Sequence, residues 1–115
     1  MEQHVKMSLD KWKAEIEEIL QEIDEEYEAV KQELNVYTYK YNITKQVVQS
    51  TVNPELNRKI RELYHQPFEQ KFNDLKEYIK ELEEKKRVFH MFTDKIDKAT
   101  TAKEEPKSFA ITQTE

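Results

Sequence analysis

Residues 51–55 read Thr51-Val52-Asn53-Pro54-Glu55, and this short run organises everything on either side of it. Asn caps a helix by accepting an amide hydrogen bond from its first turn. Pro suits the first helical position because its missing N–H is not needed there, and an acid at the next position meets the positive end of the helix dipole. A helix therefore begins at Pro54, and whatever precedes Thr51 has to turn into it. Upstream, apolar residues recur at Leu9, Trp12, Ile16, Leu20, Ile23, Tyr27, Val30, Leu34, Tyr37, Tyr41 and Val48, with Thr44 the one polar member. Downstream the stripe is Leu56, Ile60, Leu63, Phe68, Phe72, Leu75, Ile79, Leu82, Phe89, Phe92 and Ile96, with Lys86 filling one position. Steps of three and four residues, with one of five from Leu63 to Phe68, mark a helical seam of the coiled-coil type.

The two stripes can be laid against each other. Pairing Leu9 with Ile96, Trp12 with Phe92, Tyr37 with Phe68, Tyr41 with Leu63 and Val48 with Leu56 centres the reversal at residue 52, where the Asn-Pro signal already lies. The predicted fold is all-α, an antiparallel, coiled-coil-like helical hairpin. Its parts are a flexible N-terminus over 1–7, a hairpin domain over 8–100 and a disordered tail over 101–115. Within the domain a helix over 8–50 with Ser8 as its cap and a turn over 51–53 lead into a helix over 54–99. Pro67 falls inside the second stripe, where it removes a donor and crowds the preceding turn, so a kink is expected at 65–67. Residues 36–44 offer a competing reading. Tyr37, Tyr39, Tyr41 and Ile43 alternate with polar residues as a strand would, although the heptad phase carries through them and favours helix.

Composition agrees with long helices. The chain has 115 residues, no glycine, no cysteine, 3 prolines and 37% charged residues. Sheet folds favour glycine at tight turns and bulges, so its absence speaks against sandwiches, barrels and doubly wound folds. Without cysteine there is neither a disulfide framework nor a thiolate metal site. Net charge is −5, which opposes general binding to nucleic acid or anionic membranes. No apolar leader or run approaching ~20 residues occurs, and the expected location is cytoplasmic.

Charge is unevenly placed. Residues 15–33 carry nine acids against the single base Lys31, and the expected facing stretch, 71–89, carries Lys71, Lys76, Lys80, Lys85, Lys86 and Arg87. Interhelical pairing accounts for this pattern, while an acidic surface imitating nucleic acid is the sharper alternative. Residues 34–54 contain no acid, and the turn end holds a basic set, Lys40, Lys45, Arg58, Lys59 and Arg61.

That end also has more apolar surface than one seam can use. Val36, Tyr39, Ile43 and Val47 form a second helical line, with Tyr64 and Phe68 near it on the other arm. A lone two-helix hairpin of this size is marginal, so this face is expected either to pair two copies into a four-helix bundle or to dock another protein. Chemistry is scarce by comparison. Glu62-Leu-Tyr-His65 matches the Glu-x-x-His pattern of di-metal bundles, but the facing stretch lacks the further carboxylate a metal would require. Ser8, Ser50 and Ser108 sit in no nucleophile motif, and a glycine-rich phosphate loop is impossible. The expectation is a non-enzymatic interaction protein, an adaptor, assembly factor or chaperone-like partner, with no cofactor, no metal and a homodimeric state. An acidic inhibitor of a basic target is the alternative, and nucleic-acid contact by the basic aromatic tip a weaker one.

Overall fold

The structure, a computed structural model, describes residues 1–101. Its elements are α1 (Gln3–Ser50), α2 (Pro54–Ile60), a five-residue π-helical segment (Arg61–His65) and α3 (Gln66–Thr101). No strand occurs among the described residues, so the alternating tyrosines at 36–44 lie in helix. α1 starts at Gln3 and not at Ser8. Nothing in Gln3–Met7 breaks a helix, the Lys6 amide bonds to the Glu2 carbonyl at 3.0 Å, and Lys6 Nζ meets Asp10 at 2.9 Å. At the other end α3 includes Thr100 and Thr101, whose hydroxyls donate to the carbonyls of Ile96 at 3.0 Å and Asp97 at 2.6 Å. The rest of the tail, 102–115, lies outside the described residues.

The start of α2 follows from its first residues. Asn53 is extended, its side-chain oxygen accepts from the Leu56 amide at 2.9 Å, Pro54 opens the helix and Glu55 stands in the first turn. Pro67 would press its ring on the Leu63 carbonyl of an uninterrupted α-helix and leave that carbonyl without a donor. The chain widens just before it, and the Gln66 amide reaches back five residues to Arg61. One extra residue in that turn removes the clash and rotates everything upstream of it about the helix axis. Hence Leu56 (54% exposed) and Leu63 (65% exposed) face solvent, contrary to the seam expected from their hydrophobicity. Asn57, Ile60, Arg61 and His65 are the residues withdrawn from water instead.

Packing divides the chain into two compact units, Met1–Ile23 with the segment from Lys85 onward, and Asp24–Glu84. In the first, Ile16, Leu20, Ile23 and Ile96 are buried, and so is Thr93, whose hydroxyl bonds to the His90 carbonyl at 2.9 Å. Trp12 and Phe92 do not hold the seam positions expected of them. A strict alternation of three and four selects Lys13 and Thr93, and the two large rings pack edge-to-face beside them at 5.7 Å, each partly exposed. Lys13 Nζ lies 2.6 Å from Asp97, and this hydrogen bond raises the lysine above its ordinary 10.5.

In the second unit Val30, Leu75 and Leu82 form a buried cluster flanked by Tyr27, Leu34, Tyr37, Tyr78 and Ile79. The tyrosine hydroxyls at its rim donate to acids, Tyr27 to Glu83 at 3.2 Å and Tyr78 to Glu26. Lys71 pairs with Glu33 at 3.6 Å, while Lys80 pairs within its own helix with Glu77 and Lys76 covers the Phe72 ring. Each buried Leu, Ile or Val contributes about 1.5–3 kcal/mol, against roughly 0–1 kcal/mol for an exposed ion pair, so burial dominates in each unit.

Candidate protein-interaction face

The stretch 34–48 of α1 contains neither Gly nor Pro, and its β-branched threonines settle into helix by bonding backwards. Thr38 donates to the Leu34 carbonyl at 2.8 Å and Thr44 to that of Lys40 at 2.9 Å. Helical geometry then separates the tyrosines that a strand would have kept on one side. Tyr37 and Tyr41 turn inward, whereas Tyr39 (65% exposed) turns out. Val36, Ile43 (58% exposed) and Val47 share that outward line at offsets of four, three and four residues around Lys40.

The inward side is an aromatic stack. Tyr41 lies flat between His65 and Phe72, both with ring centres at 5.2 Å, and Tyr37 meets Phe68 edge-on at 5.9 Å. Phe68 is half-buried in this contact, so it supports the exposed line and does not belong to it. Tyr64 is exposed and touches Phe68 at 6.1 Å. Two pairings expected from the sequence are replaced here by the rotation of α2. Tyr41 meets His65 where Leu63 was expected, and Asn57 Nδ2 donates to the Val48 carbonyl at 2.9 Å where Leu56 was expected.

His65 Nδ1 lies 2.9 Å from Thr44 Oγ1. The Thr44 hydroxyl proton is shared between the Lys40 and Tyr41 carbonyls at 2.9 and 3.0 Å, so its oxygen accepts from Nδ1–H, which assigns the tautomer. Glu62 bonds to Arg58 at 3.0 Å, so the two members of the Glu-x-x-His pattern are engaged elsewhere. Among the described residues no group of three or more His, Asp or Glu could hold a metal ion.

The five bases of the turn end are not one open patch. Arg58 is clamped by Glu55 at 2.6 Å and Glu62 at 3.0 Å, and Arg61 Nε donates to Asn57 at 2.8 Å. Lys40 Nζ lies over the Tyr37 and Phe68 rings at 4.8 and 5.3 Å, and Lys45 and Lys59 are exposed. Sequence reasoning missed two parts of the surface. Leu63 joins Tyr64 in the open, a consequence foreshadowed by the step of five from Leu63 to Phe68. In the other unit Val88, Met91, Phe92 and Lys95 line a shallow depression, signalled only by the strict seam alternation that excludes Phe92. No helix among the described residues is long and apolar enough to cross a membrane. Compared with protein-family models, curated proteins and solved structures, the chain matches none.

Proposed function

We propose that this chain is a non-enzymatic protein-interaction module. In this reading the two long helices form an antiparallel hairpin, kinked at the π-helical segment, and the line Val36–Tyr39–Ile43–Val47 is the docking face. Two copies joined through it make a four-helix bundle that serves as an adaptor or assembly factor in the cytoplasm. The observation that carries the proposal is four large apolar side chains exposed in one line on an intact helix. Burying such a side chain is worth about 1.5–3 kcal/mol, so the line is a strong driver of association once a matching surface is met. The ring contacts Trp12–Phe92 and Tyr37–Phe68, together with the capped turn at Asn53, support the hairpin.

Light scattering tests it. The expected mass is twice 14.0 kDa at tens of micromolar for the parent chain, and 14.0 kDa for the double variant Ile43→Glu/Val47→Glu, with helicity reduced. A double variant that keeps the dimer mass moves the contact to another surface. Partner binding that disappears with added salt would instead favour the acidic stretch 15–33 as the working surface.

A further inference from the structure

We infer that the chain beyond Thr101 folds back along α3 and seats Phe109 and Ile111 in the depression lined by Val88, Met91, Phe92 and Lys95. That depression belongs to the unit formed by Met1–Ile23 and the segment from Lys85 onward. The docking line on α1 has no part in it.

The depression is an apolar face that helix packing has not used. Thr93 and Ile96 of α3 are buried, while Val88, Met91 and Phe92 stand exposed beside them. It is already shaped. Trp12 holds the Phe92 ring edge-to-face at 5.7 Å, and the Met91 sulfur accepts from Arg87 at 3.5 Å. Its volume is about 170 Å³, and a cavity of roughly 150 Å³ admits a benzene ring. One aromatic side chain therefore fills it.

The nearest aromatic along the chain is on a tether of the right length. Phe109-Ala110-Ile111 is the one apolar cluster in 102–115, and seven residues separate Phe109 from Thr101. Eight extended steps reach up to about 26 Å. Met91 lies ten residues back along α3, or about 15 Å, which leaves slack for a reversal at the helix end. Pro106 opposes helix and biases Glu105 towards an extended backbone. In an extended chain Phe109 and Ile111 project to the same side. Their separation of about 6.6 Å then follows that from Met91 to Val88, about 4.5 Å along the helix.

Charge follows the same path. With Phe109 level with Met91, Glu105 lies about 13 Å towards the end of α3, near Lys98, which is about 10 Å from Met91 along the axis. Lys107 draws level with Asp94, next to Lys95. Both Lys98 and Asp94 are exposed, so each has an opposite charge to meet.

Methyl NMR of the full chain decides it. The chain has three methionines, Met1, Met7 and Met91, so methyl labelling of methionine gives three signals. A ring seated on Met91 shifts its methyl by ring current, whereas a ring that samples solvent does not. Phe109→Ala is therefore expected to move the Met91 signal and leave Met1 and Met7 in place. The substitution lies outside the described helices and does not challenge them. Two apolar side chains, set against the ordering of seven linking residues, make a shallow seat that empties before the helices melt, so melting curves do not read it. An unmoved Met91 signal overturns the seat. Movement of Met7 in its place puts the tail on another surface and overturns it as well. A Met91 shift that fades on dilution shows the tail of a second copy in the depression, which overturns docking within one chain.

Discussion

A threonine on the inward line of a helix has to place its hydroxyl somewhere, and Thr44 places it twice. Its proton goes to carbonyls one turn back, and its oxygen receives the imidazole N–H of His65 from across the packed face. Thr44 stood out in the sequence as the single polar member of the first stripe, but its partner did not. His65 reaches the inward side only because the π-helical turn rotates α2, and no hydrophobicity pattern encodes that rotation. Thr44→Val keeps the shape and removes the acceptor, leaving a half-buried N–H unpaired. The expected cost is about 1 kcal/mol, read as a lower urea midpoint with unchanged slope, and Thr44→Ser should restore most of it. An unchanged midpoint for Thr44→Val would mean that water serves the imidazole equally well.

Elements were legible where local chemistry and periodicity agree. Asn53-Pro54-Glu55 announces the cap that the structure contains, and the inward line of α1 was correct at every position except Trp12. Trp12 misleads because the largest apolar residue near a seam attracts the assignment, whereas the register selects its neighbour Lys13, whose stem is apolar and whose head finds Asp97. The same holds for Phe92 beside Thr93. The start at Gln3 was missed because Ser8 is a competent cap with nothing forbidding helix before it. Around Pro67 a break was anticipated, but the sequence does not reveal that a wide turn at Arg61–His65 accommodates the proline and exposes Leu56 and Leu63. If that turn exists only to admit the proline ring, Pro67→Ala regains a backbone hydrogen bond of about 1 kcal/mol. The melting temperature should then rise, and the amide that the alanine introduces should become protected from exchange. A lower melting temperature would show that the contacts of His65 with Thr44 and Tyr41 depend on the wide turn and outweigh the regained bond.

For the molecule as a whole, the division of labour between stretches was readable while its occupants were not. The apolar line at Val36, Tyr39, Ile43 and Val47 was visible because helical spacing isolates it from the inward stripe, and the structure leaves all four exposed. The basic end was overestimated, since the sequence counts cations without seeing that Glu55 and Glu62 hold Arg58. The apolar stripe read from the sequence ends at Ile96, and Pro106 opposes any helix continuing from it. Removal of residues 102–115 is therefore expected to leave helicity and melting temperature unchanged by circular dichroism. A fall of several degrees would extend the folded part beyond Thr101.

The aromatic residues are also sorted between the two compact units. The single tryptophan, Trp12, belongs to the unit formed by Met1–Ile23 and the segment from Lys85 onward. All six tyrosines (27, 37, 39, 41, 64 and 78) belong to Asp24–Glu84. Each unit thus carries its own intrinsic chromophore. Indole fluorescence excited at the red edge reports one, phenol absorbance reports the other, and a single unlabelled sample reveals whether the two melt together or in turn.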